Sequence, residues 1–176
     1  MQDFLTLLQH RRSIRKYQDR LVEPEKIDLI LKAALMSPAG KRLNPWEFVV
    51  VQDRSVLKQM SACRTYGSQL LEGSPLGIVI CADKESSDTW QFDSAITAMN
   101  MMLEASDLGL GSCWVQIYNR TSEDNVSAEE MVRRLLDIPE KMAVVCVISV
   151  GYINEERKPY DFDKLQYQKI HHETYK

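Results

Sequence analysis

Residues 90–108 carry apolar side chains almost all the way round a helical projection. Ala95, Ile96, Ala98, Met99, Met101, Met102, Leu103 and Ala105 leave no broad polar stripe. A helix with that pattern is covered on most of its sides. In a chain of 176 residues this calls for a central position or for a second subunit against it.

The flanking segments alternate between helical and extended patterns. Residues 3–11 place Phe4, Leu5, Leu7 and Leu8 on one side of a short helix. Residues 24–36 begin with Pro24 in a first turn, and Ile27, Ile30, Leu31, Ala34 and Leu35 follow at helical spacing. Asp53 is placed to cap a helix running to about residue 62. Ser127 and Glu130 form a capping-box pattern for a helix through about 136. Phe48–Val51, Leu76–Ala82, Leu110–Ile117 and Met142–Val150 read as strands, the last as a central one. The expected fold is one α+β domain with a helix-flanked sheet. The tail, 154–176, is polar but carries Phe162, Leu165, Tyr167, Ile170 and Tyr175 as spaced apolar anchors. It reads as an arm lying across its own domain or a neighbour.

Composition removes several function classes. Hydrophobic residues make up 44% and charged residues 27%, so the chain can build a core and is not of the disordered kind. No apolar run approaches the ~18 residues of a membrane span. The start, MQDFLTLLQHRR, is too polar for a secretory signal, and a cytoplasmic protein is expected. With 22 Lys and Arg against 25 Asp and Glu, no basic excess favours nucleic acid. Cys63, Cys81, Cys113 and Cys146 lack metal or dithiol spacing, and Cys81 and Cys146 read as small buried hydrophobes. His10 reads as a surface or helix-end residue, and His171 and His172 as solvent-facing or interface residues rather than metal ligands. With no P-loop, nucleophile elbow or H-E-x-x-H, an enzyme of this sequence would rely on a bound cofactor.

Four segments hold chemistry-bearing residues. Arg11, Arg12, Ser13, Arg15 and Lys16 put four cations and a hydroxyl within six residues. They suit phosphate oxygens, or else merely complement a helix C-terminus. In Ser37–Phe48, Pro38 stops a helix, Gly40 permits an unusual backbone angle, and Pro45 is expected to hold Asn44 extended. Lys41, Arg42 and Asn44 are the polar groups of that stiff loop, which is either a ligand loop or an ordinary turn. Gly109-Leu110-Gly111 fails the dinucleotide fingerprint, because Trp114 stands at the third glycine and the helix precedes the strand. It reads as a helix C-cap with a tight turn, and it also permits close backbone approach to a ligand. Arg157-Lys158 follows the last strand as a charge pair that reads as solvated.

Taken together, R-R-S-I-R-K-Y, S-P-A-G-K-R-L-N-P-W-E-F, F-D-S-A-I-T-A-M-N-M-M-L-E-A-S-D-L-G-L-G-S-C-W and V-G-Y-I-N-E-E-R-K-P resemble the nitroreductase family of flavoproteins over nearly the whole chain. The resemblance implies an α+β sandwich with a mainly antiparallel central sheet, in a domain-swapped homodimer holding two FMN molecules at the subunit interface. Residues 1–176 would form one FMN-binding domain, with 154–176 as an arm over the partner. Carried over by position, Arg11, Ser13 and neighbouring Arg12 would meet the FMN phosphate, completed by Arg157 or Lys158. Arg15 would place a cation near the pyrimidine edge of the ring. Pro38 and Ala39 would run along the flavin, Leu110 and Gly111 would lie beside it, and Asn100 would approach from the partner. The chain departs from the usual P-S-x-x-N-x-Q-P-W, with Arg42 at the usual Asn and Asn44 at the usual Gln.

The implied activity is ping-pong hydride transfer from NADH or NADPH to FMN and then to a nitroaromatic, a quinone or a similar acceptor. The flavin would carry the chemistry, with no catalytic side chain and no metal. The alternatives are a non-catalytic flavin sensor or carrier, a reductive dehalogenase-like enzyme on the same fold, and a basic-patch interaction module.

Overall fold

The computed structural model describes residues 3–175. Four strands form one sheet: β1 (Trp46–Val51), β2 (Leu76–Asp83), β3 (Gly111–Gln116) and β4 (Met142–Gly151). Their order is β1-β2-β4-β3 and every pairing is antiparallel. The two central strands are the near-continuous apolar runs LGIVICAD and MAVVCVISVG, and all of β4 is buried. Such runs arise because both faces of the sheet are covered, which removes the usual polar alternation.

Successive side chains of the central strands still go to opposite sides. Leu76, Ile78, Ile80, Ile148 and Val150 join one core with Ile27, Ile30 and Ala34 of helix α2 (Pro24–Leu35) and Ala98, Met101 and Ala105 of helix α4 (Trp90–Asp107). Val79, Cys81, Val144 and Val147 join the other core. There they meet Leu57 and Met60 of helix α3 (Arg54–Ser61) and Ala128 and Val132 of helix α5 (Ala128–Leu136). A bulge lets Cys146 face Ile80 and Val144 face Cys81, with Val145 as the extra residue. The remaining helix, α1 (Phe4–His10), is short.

The helix ends follow local chemistry. Asp53 accepts hydrogen bonds from the Ser55 and Val56 amides at 2.7 and 3.2 Å, as expected. Pro24 occupies the first turn of α2. Ser127 caps α5 by accepting from the Glu130 amide at 3.4 Å. The capping box is half formed, because the Glu130 carboxylate turns instead to Arg134, one turn on. At the end of α4 the Leu110 amide donates to the Ala105 carbonyl at 2.8 Å and the Gly109 amide to that of Ser106 at 3.1 Å. With Gly109 at φ 74°, this is a Schellman C-cap.

Several apolar residues lie outside both cores. In α1 only Leu7 is buried, while Phe4 and Leu5 are exposed. Leu35 is exposed at the end of α2. On α4, Ala95, Ile96 and Met99 face away from the sheet, as does Phe92, which is 69% exposed. One sheet and α2 cover only one side of a helix that is apolar all round. Tyr160, Phe162, Leu165, Tyr167 and Ile170 in the tail are exposed as well. Among the described residues no helix is long and apolar enough to cross a membrane.

Candidate anion-binding site

After α1 the chain runs beside the start of β3. Ser13 bridges Ser112 in parallel, and the Ile14 amide donates to the Ser112 carbonyl at 3.0 Å. This approach requires Gly111: a Cβ there would lie 2.7 Å from Ile14 Cβ. The same segment is tied to the chain beyond β4. Tyr17 bridges Ile153, the Asn154 amide donates to the Lys16 carbonyl at 3.0 Å, and the Gln18 amide to that of Tyr152 at 2.9 Å. Beneath it, the buried Tyr17 hydroxyl donates to the Ile14 carbonyl at 2.6 Å and shares a hydrogen bond with the Ser149 hydroxyl at 2.6 Å. Burial pushes the Tyr17 phenol well above its ordinary range.

These ties bring the two ends of the chain to one cleft of about 350 Å³. Arg11 and Arg12 line it from the beginning of the chain, Arg157 and Lys158 from its end, and Leu110 and Gly111 from the α4–β3 turn. Thus four of the residues expected at the phosphate and two expected beside the ring line one cleft, although Arg157-Lys158 alone reads as a solvated pair. The four cations play different parts. The Arg12 guanidinium donates to the Lys158 carbonyl and lies 4.4 Å from the centre of the Tyr160 ring, so it braces the two ends. Arg157 pairs with Glu155 at 2.7 Å. The side chains of Arg11 and Lys158 make no hydrogen bond or ion pair with another described residue. Ser13 and Arg15 do not line the cleft although their neighbours Ile14 and Ser112 do: the Ser13 hydroxyl bonds to the Cys113 thiol, and Arg15 is exposed.

His10, Ser106, Ile153, Glu155 and Glu156 complete the lining and escaped the sequence reading. His10 is at a helix end and exposed, as expected, but it also faces this cleft. Its adjacency to Arg11 was the available signal. Two carboxylates against four cations leave the lining with a net of two positive charges. Below the cleft the Cys113 thiol is raised by burial, against the pull of Arg15. All four cysteines are free and buried. Among the described residues no group of three His, Cys, Asp or Glu is arranged to hold a metal ion.

The other expected residues are elsewhere in the same chain. Pro38, Ala39, Arg42 and Asn44 belong to the loop between α2 and β1, next to the first half of α4. Asn100 donates to the Ser37 hydroxyl at 2.7 Å. Asp93, 3% exposed, accepts from the Gly40 amide and from the Thr89 hydroxyl, both at 2.9 Å. Ser106, thirteen residues further along α4, is already in the cleft wall. At ~1.5 Å per residue, loop and cleft lie about 20 Å apart along the helix.

The loop conformation differs from expectation at two positions. Asn44 is at φ 47°, not extended, despite Pro45. Gly40 has no left-handed backbone. The left-handed residues are Lys41 (φ 53°), Arg42 (φ 59°) and Asn44, at a cost of about 1–2 kcal/mol each. Gly40 is required for space instead, since a Cβ would lie 2.4 Å from Thr89 Oγ1. Asp93 ties the loop to α4 at the Gly40 amide, and at residue 44 the tolerance of asparagine for left-handed backbone outweighs the preference set by Pro45.

Comparison with known proteins agrees with this architecture. The sequence model described as "Nitroreductase family" matches residues 8–63 and 56–152. A solved structure of an FMN-dependent nitroreductase from Clostridium difficile R20291 is 48% identical, with a TM-score of 0.95, over 97% of this chain and 99% of that one. A Bacteroides thetaiotaomicron structure, provisionally named an NADH dehydrogenase/NAD(P)H nitroreductase, is 35% identical with a TM-score of 0.89, covering 99% of each chain. A protein of the same provisional name from Archaeoglobus fulgidus is 39% identical over 99% of this chain and 100% of its own length. The chain therefore belongs to the nitroreductase family of NAD(P)H-dependent oxidoreductases.

Proposed function

We propose that this protein is an FMN-dependent oxidoreductase that moves reducing equivalents from NADH or NADPH to a nitroaromatic, a quinone or a similar acceptor by a ping-pong exchange. The cleft built from both chain ends carries the reading. Its net of two positive charges suits a phosphate monoester, which carries about −1.5 to −2 near neutrality. Arg11 and Lys158 are the cations left to meet the phosphate, and Ser13, whose hydroxyl bonds to the Cys113 thiol just outside the lining, is the nearest hydroxyl in sequence. Charge-assisted hydrogen bonds from such donors are roughly twice as strong as neutral ones. Leu110 and Gly111 offer backbone to the ring, and the exposed Arg15, outside the lining, supplies a nearby cation that favours added negative charge on it. When bound, FMN supplies the hydride acceptor and donor chemistry. The protein contributes orientation and electrostatics, and no side-chain acid or base is required of it.

We further propose a homodimer with one complete site at each end of the boundary. Within one chain the 38–44 loop and the cleft are about 20 Å apart along α4. A second copy packed along α4 brings a loop to each cleft. Phe92, Ile96 and Met99 recur every three or four residues on the exposed face of α4 and form the seam. The 154–175 segment, with its exposed apolar anchors, is the arm that crosses to the partner. Buried free thiols favour a reducing compartment, in keeping with a cytoplasmic protein.

Titration with FMN and with riboflavin, which lacks the phosphate, tests the reading. Replacing Arg11 and Ser13 together with alanine should raise the FMN Kd at least about tenfold, the loss of one or more charge-assisted bonds, and leave riboflavin unchanged. Unchanged FMN affinity, or a stable monomer that still binds FMN, defeats the proposal.

A further inference from the structure

A cleft for a dianion has little electrostatic reason to carry Glu155. Yet its side chain is only 13% exposed and both of its carboxylate oxygens are engaged. One carboxylate oxygen accepts from the Arg15 amide at 2.5 Å and from the Lys16 amide at 3.2 Å. The other pairs with Arg157 Nη2 at 2.7 Å. Glu156, next in sequence, also lines the cleft but is exposed and makes no such contacts. The two glutamates therefore add the same charge to one wall and differ in what they hold.

We infer that Glu155 is a positioning residue for the phosphate cleft, fixing the Arg157 guanidinium from the end of the chain against the backbone of residues 15–16 from its beginning. The inference rests on the reading of the cleft as a phosphate site. Arginine recognises phosphate through a planar fork, so its aim matters as much as its charge. A free arginine side chain gives up rotamer entropy when a ligand fixes it. The carboxylate removes that freedom before a ligand arrives. Burial pushes the Glu155 carboxyl up, but the two amide bonds and Arg157 together hold it below its ordinary range, so it stays charged at neutral pH.

Removing either glutamate charge makes the cleft more positive. If charge alone matters, Glu155→Gln and Glu156→Gln both tighten FMN. If Glu155 positions Arg157, only Glu156→Gln tightens it or leaves it unchanged. Glu155→Gln then raises the FMN Kd about tenfold, as one charge-assisted bond loses its aim, while riboflavin binding moves less than about twofold. In an Arg157→Ala background the sign reverses, because the remaining carboxylate then only repels phosphate, and Glu155→Gln lowers the FMN Kd. Flavin fluorescence titrations on the full chain read all of these constants, and circular dichroism checks folding.

Failures separate cleanly. If Glu155→Gln behaves as Glu156→Gln does, while the Arg11→Ala, Ser13→Ala protein still loses FMN selectively, the positioning role is wrong and the phosphate reading stands. If Glu155→Gln weakens FMN and riboflavin equally, or does not fold, the residue is structural and the inference falls. If the Arg11→Ala, Ser13→Ala protein binds FMN normally, the phosphate reading falls and takes this inference with it.

Discussion

The two glycines around Leu110 have separable jobs, and alanine at each should show it. Gly109 sits at φ 74°, with nothing within 4 Å of the position a Cβ would occupy. Alanine there meets no neighbour and loses only through left-handed backbone, about 1–2 kcal/mol. Gly111 has no such backbone strain. Its added Cβ would lie 2.7 Å from Ile14 Cβ and 2.8 Å from both branches of that side chain. Ile14 is 4% exposed and held by its amide bond to Ser112, so it cannot step aside without moving residues 11–13. Overpacking of this kind costs about 1–3 kcal/mol. For a chain of this length both substitutions should lower Tm by similar amounts, about 2–4 °C per kcal/mol. They should part company in cofactor binding. Gly111→Ala displaces Arg11 and Ser13 and should raise the FMN Kd about tenfold, as when one charge-assisted bond is lost. Gly109→Ala should leave it unchanged. Thermal melts paired with FMN titration decide the matter. An equal loss of FMN affinity in both proteins, or a destabilised Gly111→Ala protein with full affinity, would refute the steric argument.

Two further outcomes are expected. Tyr17→Phe should cost about 1–3 kcal/mol, because it leaves the buried Ile14 carbonyl and Ser149 hydroxyl short of a partner. Urea unfolding should show a lower midpoint at unchanged slope. Hydrogen bonding by the Tyr152 hydroxyl, with its own backbone amide and Arg20, lowers the Glu23 carboxyl from 4.5 to about 2. A depressed carboxyl stabilises the fold above its unfolded pKa and loses that contribution as pH falls through the folded one. The Tm advantage of the wild type over Tyr152→Phe should therefore hold above about pH 5 and fade between pH 4.5 and about 2. An advantage constant across that range would show that Glu23 does not report it.

What was legible in the sequence was local. Asp53, Ser127, Pro24 and Gly109 act on amides and carbonyls within a few residues, and their helix ends fall where such chemistry puts them. The central strands were legible because an apolar run can be buried on both faces of a sheet. What was not legible depends on bonds between distant positions. At residue 44 two local signals conflict, since Pro45 favours extended backbone while asparagine tolerates the left-handed region that it adopts, and the anchoring of the loop by Asp93, far along the chain, leaves no local trace. Composition marks Arg157-Lys158 as surface charge, and it is Arg12, 146 positions earlier, that joins that segment to the cleft. Glu155 was hidden for the opposite reason, since counting charge alone places a carboxylate against an anion site.

Helix α4 combines both kinds of information. Its period states that Phe92, Ile96 and Met99 are apolar and on one face; it does not state which chain covers them. Within one chain that face is bare, and it connects the clamp at Asp93 to the cleft wall at Ser106. Covering it with an antiparallel copy of itself would hide the apolar side chains and bring the 38–44 loop of each subunit toward the cleft of the other. In that arrangement one physical requirement, removal of apolar surface from water, would account both for the all-round pattern that opens the sequence and for the distance between the 38–44 loop and the cleft within one chain.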